Sequence, residues 1–127
     1  MILRHRTSLL AGLAAASMTL LGACATTPAA PASATLAAGQ QATVDGTIVS
    51  VDTTPWTYDG SAIIRIAAAN GQVDVHLPAR WNLCKAPPPD DVQSLKAGDR
   101  VQATGTVTDD GALVVCEGTQ HGLRRTP

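Results

Sequence analysis

Asn70-Gly71 lies between two alternating aliphatic runs, and no other feature of the chain restricts its fold so sharply. This dipeptide suits a tight two-residue hairpin turn, because both central residues of such a turn take a positive φ. Ala62–Ala68 and Gln72–Leu77 flank it as strands. With the turn at residues 70–71, Ala69 pairs with Gln72, Ile66 with Val75 and Ile64 with Leu77. All the large aliphatics except Ile63 then share one face, and this agreement between turn and pattern sets the register. The opposite face carries Ile63, Arg65 and Ala67 beside Asp74, His76 and Pro78, with Arg65 directly across from His76.

The rest of the folded part also reads as strands. Ala42–Val51 alternates with Val44, Gly46 and Ile48 on one face until Ser50 breaks the pattern. A bulge near Val49 restores it and turns Val51 inward. Gly46 within the strand fits strong coiling or a close backbone approach. Pro78–Pro89 is irregular, and Asp90-Asp91 offers N-cap chemistry for a short helical turn through Leu95. After a turn at Lys96–Asp99, Arg100–Val107 places Val101, Ala103, Gly105 and Val107 on one face. Asp109-Asp110-Gly111 is a second hairpin signal, leading into Ala112–Glu117. From Gly118 onward the chain reads as a loosely held polar and basic tail.

This order is a long bulged strand, a hairpin, an irregular or helical connection, and a second hairpin. It resembles the OB-fold, an all-β, five-stranded Greek-key barrel with a helix or loop between its third and fourth strands. The residues that carry the likeness are Val44-Asp45-Gly46-Thr47-Ile48, the Asn70-Gly71 hairpin, and Leu95-Lys96-Ala97-Gly98-Asp99-Arg100-Val101 leading into Gly105. Small exported bacterial OB-fold proteins are similar in size and layout. A small β-sandwich is the structural alternative, and it needs more strands than the sequence offers.

The N-terminus is laid out as an export signal. Arg4, His5 and Arg6 form a basic start, and Leu9–Leu21 is an apolar run too short for a comfortable membrane span, which takes roughly 20 residues. His5 separates the two arginines, so this is not a twin-arginine signal. Leu21-Gly22-Ala23-Cys24 closes the run and resembles a bacterial lipobox. The resemblance implies that Cys24 is lipidated and becomes the mature N-terminus, anchoring the protein to a membrane. The alternative is an ordinary signal cleaved near Ala25. Residue 25 is not the aspartate that retains some enteric lipoproteins in the inner membrane, so the likeness implies the outer membrane and a periplasm-facing domain, with the inner membrane as the alternative. The divisions are then residues 1–23 as signal, 24–40 as an uncharged Ala/Thr/Pro tether, 41–118 as the β domain and 119–127 as the tail.

Three cysteines leave one over in an exported protein. Lipidation of Cys24 removes it and leaves Cys84 and Cys116, for which a disulfide is the default in an oxidising compartment. The loop it closes is worth roughly 3.5 kcal/mol by chain entropy. The rival reading makes Cys84 and Cys116 metal ligands with His76 and His121, although neither cysteine belongs to a local C-x-x-C pair.

Without residues 1–23 the chain has seven basic and ten acidic side chains, a formal charge of −3. That balance, with only Trp56, Tyr58 and Trp81 as aromatics, excludes the basic, stacking surface of a nucleic-acid binder. The sequence has no Gly-x-Ser-x-Gly elbow, phosphate-cradling loop or His-Glu-x-x-His pair, and it calls for no cofactor. A non-enzymatic binding or adaptor role follows. The OB likeness places a ligand face on Arg65, Asp74 and His76, with Trp56 and Tyr58 in the first loop and Asp109 and Asp110 in the second. Its partner would be another envelope protein, a glycan or a small ligand. The plainer alternative is a solvated cross-strand polar cluster, with Trp56 and Trp81 as lids on the barrel ends.

Overall fold

A computed structural model describes residues 34–54, 57–89 and 91–127. The signal segment, Cys24, Trp56 and Asp90 lie outside the described residues. The strands are β1 (Gln41–Asp52), β2 (Ser61–Ala68), β3 (Gly71–Pro78), β4 (Arg100–Val107), β5 (Leu113–Val114) and β6 (Gly122–Arg125).

β1 is long because it closes the barrel. Its N-terminal half pairs with β4, from Gln41↔Thr106 to Thr47↔Arg100, and its C-terminal half pairs with β2. Around the ring β1, β2, β3, β5 and β4 are neighbours, with β3 and β5 parallel and the other pairs antiparallel. This is a small OB-like barrel, and the ring closure excludes a sandwich. The register of β1 shifts between Ile48 and Ser50, leaving Val49 exposed and Val51 packed on the core, as the alternation requires. Buried Ile48, Ile64, Ile66, Val75, Leu77, Val101 and Leu113 fill the interior.

The β2–β3 hairpin differs from expectation by two residues. The turn residues are Ala69 and Asn70, and Ala68 pairs with Gly71, Ile66 with Val73 and Ile64 with Val75. A positive φ falls on Gly71 (138°), whereas Asn70 has none. A turn with positive φ at both Asn70 and Gly71 is therefore not formed, and the strands close one residue earlier on each side. An even shift preserves the faces, so the aliphatics still point inward. It changes the partners: Arg65 lies opposite Asp74, and His76 lies opposite Ile63.

Between β3 and β4 run two one-turn 3-10 helices, Trp81–Leu83 and Val92–Ser94. The expected helical turn is therefore present, but the Asp91 side chain does not cap it. The Asp91 backbone carbonyl instead accepts from both the N–H and the Oγ of Ser94. Asp99 ties the following turn to the far end of the chain, accepting from the Lys96 N–H at 3.1 Å and the Arg125 Nε at 3.1 Å. The Lys96 hydrogen bond, followed by that of Arg125, holds the Asp99 carboxyl below the usual carboxylate range.

Two segments expected to lie outside the domain belong to the barrel. In the expected tether, Ala34 is buried and donates its N–H to the Gln72 carbonyl, Leu36 packs on the core, and Gly39 bonds to Val107. In the expected polar tail, β6 pairs with β4 through Val101↔Arg125 to Thr104↔Gly122, and Leu123 is buried. β5 and β6 lie along the same edge of β4, so the fifth barrel strand is interrupted rather than finished at Glu117. Residues 115–121 loop out between its two halves.

That excursion is held from both sides. The Cys84–Cys116 disulfide joins it to the stretch after the first 3-10 helix, and the Cys116 carbonyl accepts from Lys85 N–H (2.9 Å) and Ala86 N–H (3.0 Å). Buried His121 closes its base, with Nδ1 accepting from the N–H groups of Gly118 (3.2 Å) and Cys116 (3.4 Å).

Candidate functional site

β2 and β3 alternate, so residues of odd number in β2 and even number in β3 face outward. On that face Arg65, Asp74 and His76 line a hollow of about 170 Å³ together with Gln72, Asp110 and Ala112. Asp110 arrives from the β4–β5 turn, which is fixed by Thr108: its N–H donates to the Ala112 carbonyl, and its Oγ1 hydrogen-bonds Asp110. The Thr108 hydroxyl, followed by the backbone N–H groups of Asp110 and Ala112, draws the Asp110 carboxyl below the ordinary carboxylate range. Asp110 therefore presents a carboxylate to the hollow at neutral pH.

Arg65 does not point a free charge into this space. Its Nε and Nη2 donate to the two Asp74 oxygens at 2.7 and 2.8 Å, a bidentate pair that also raises the guanidinium pKa. Both partners remain in contact with solvent, which screens the pair, so it orients the two side chains more than it stabilises the fold. With Arg65 and Asp74 neutralising each other, Asp110 leaves the hollow net acidic. It suits a cationic or hydroxyl-rich group rather than an anion.

Tyr58 is not part of this hollow. Gly60 accepts from the Ala79 N–H, which turns the loop before β2 over Arg80. There the Arg80 guanidinium stacks 4.0 Å from the centre of the Tyr58 ring and reaches Asp59 at 3.4 Å. Trp81 packs against the core, as a lid would.

The alternative metal set is not assembled. Cys84 and Cys116 are joined to each other, and the Nδ1 of His121 is occupied by backbone N–H groups. Among the described residues no three His, Cys, Asp or Glu side chains converge on one point.

A second and larger hollow, about 380 Å³, has no counterpart in the sequence reading. It lies between Pro87–Pro89 and the outer face of β4 and β6, where Gln102, Thr104, Gly122 and Arg124 meet. Its only sequence signal is the parity of Gly122-Leu123-Arg124-Arg125, in which a single aliphatic marks the inner face.

Compared with models of known protein families and with curated proteins, the sequence matches none. What defines the chain is its geometry: an OB-like barrel with a net-acidic hollow on the β2–β3 face.

Proposed function

We propose that this chain is a lipid-anchored envelope protein, held in the outer membrane through Cys24 and facing the periplasm, whose barrel is a non-catalytic binding or adaptor module. Its partner is a protein, a glycan or a small ligand. The observation that carries the binding reading is the meeting of Arg65, Asp74, His76 and Asp110 in one open hollow, on the face and beside the loop where barrels of this kind hold ligands. The net-acidic character of the hollow favours a basic side chain or a hydroxyl-rich glycan. The lipobox-like Leu21–Cys24 carries the anchoring reading.

Each half has its own test. Cys24→Ser is expected to move the protein from the membrane fraction to the soluble fraction, and continued sedimentation of the variant with outer membranes would exclude lipid anchoring. For the barrel, an Arg65→Ala/His76→Ala double variant of the full chain is compared with wild type for capture of envelope glycans and proteins. A loss on the order of tenfold in affinity is expected, corresponding to about 1.4 kcal/mol. Equal capture by both proteins removes this face from the proposal.

A further inference from the structure

We propose that the groove over Gly122 is a second binding site, one that takes a carboxylate group. Four observations converge on it. First, its described lining is neutral apart from Arg124, so in a net-acidic domain this hollow carries positive charge and no carboxylate. Arg124 donates through Nη2 to the Gln102 side-chain oxygen, and Gln102 in turn donates to Asp45 at 2.9 Å. Among the described residues no acid lies within ion-pair distance of Arg124, whereas Arg65, Arg80 and Arg125 each have one. The network holds the guanidinium in place and leaves its charge available.

Second, His121 offers a preset donor. It is only 4 % exposed, and its Nδ1 accepts two backbone N–H groups. A proton on Nδ1 would face both donors, so the proton belongs on Nε2. Among the described residues no group accepts from Nε2, and His121 lines this groove.

Third, the floor is kept open by Gly122. A Cβ there would meet nothing within 4 Å, and its φ is not positive, so neither packing nor backbone conformation demands glycine. Gly122 lines the groove without adding a side chain to it.

Fourth, Pro87–Pro89 form the far wall as a rigid, apolar surface that loses little entropy on contact with a ligand. The volume falls within the range of small-molecule sites, about 300–1,000 Å³. A bound carboxylate would accept from Arg124 and the His121 Nε2–H, with its carbon chain against the prolines. Such a carboxylate comes from a small acid or from the end of a peptide chain.

The test is a titration of the full chain in detergent with succinate, with N-acetylated trialanine as the free acid, and with the same peptide as its amide. It is followed by the amide signals of Gly122 and Leu123 and the His121 Nε2–H signal. Saturable shifts with succinate or with the free-acid peptide support the site and distinguish its two sources, and the amide is expected to bind on the order of tenfold or more weakly. Arg124→Gln is expected to weaken the acid response by a similar factor, and Gly122→Val to abolish it while unfolding at the wild-type temperature. Arg65→Ala/His76→Ala should leave the response unchanged, which separates this site from the β2–β3 hollow. The proposal is overturned by equal binding of acid and amide, by no binding of either acid, or by wild-type binding in both groove variants.

Discussion

Replacing Cys84 and Cys116 together by alanine is expected to cost the barrel about 3.5 kcal/mol, the largest loss from any change that leaves the packed interior intact. The bridge spans 32 positions of sequence and so removes a long loop from the unfolded ensemble. For a domain of this size that loss lowers Tm by roughly 15–25 °C. The structure also says where the damage concentrates. The disulfide and the two hydrogen bonds onto the Cys116 carbonyl hold the 115–121 excursion to residues 84–86. Without the covalent link, His121 and the base of the excursion rely on hydrogen bonds alone. Hydrogen exchange in the variant should therefore accelerate first at residues 116–121, while β1, β2 and β3 keep their protection. Thermal unfolding of oxidised wild type, reduced wild type and the double variant measures the effect. A shift of only a few degrees would show that the staple contributes little.

The sequence made some of this legible for physical reasons that differ from element to element. The inward face of every long strand could be read, because a period of two survives any even error in register. The partners across the hairpin could not: Asn70-Gly71 indicates a turn but not which of its residues takes the positive φ, and Gly71 takes it without Asn70. That single difference gives Arg65 to Asp74 and frees His76 to face Asp110 across the hollow. The bulge at Val49 was legible because Ser50 breaks an otherwise regular alternation. β6 was not, because one buried aliphatic, Leu123, among Gly122, Arg124 and Arg125 makes no pattern until β4 is beside it. The packing of Ala34 and Leu36 was hidden for a similar reason: isolated small residues in a Pro/Ala stretch carry no periodicity. The Cys84–Cys116 bridge, by contrast, was the default for two cysteines in an exported chain with Cys24 set aside, and it forms in place of the rival metal pairing.

Gly46→Ala is expected to be nearly as damaging as loss of the disulfide, and for an unrelated reason. Gly46 sits where β1 pairs on both edges at once, opposite Ala68 in β2 and Val101 in β4. A Cβ at this position would run into the Ala67 carbonyl oxygen, would lie 2.9 Å from the Ala67 carbonyl carbon and would reach Ile66 Cγ2 at 2.5 Å. Ile66 has other rotamers, but the Ala67 peptide does not, since β2 is held on its far edge by β3 from Ser61 to Ala68. Relief therefore requires β1 and β2 to separate at the seam that closes the barrel, and the cost belongs at the upper end of overpacking, about 3 kcal/mol. Gly122→Ala is the matched control. It makes the same chemical change in a strand where the new carbon meets nothing within 4 Å. Reduced unfolded-state entropy makes that control neutral or stabilising by about 0.4–1 kcal/mol. The denaturant midpoint should thus fall for Gly46→Ala and stay level or rise for Gly122→Ala, with unchanged m-values. If Gly46→Ala unfolds at the wild-type midpoint, β1 does not need its close approach to β2, and the tight coiling that closes this barrel has another origin.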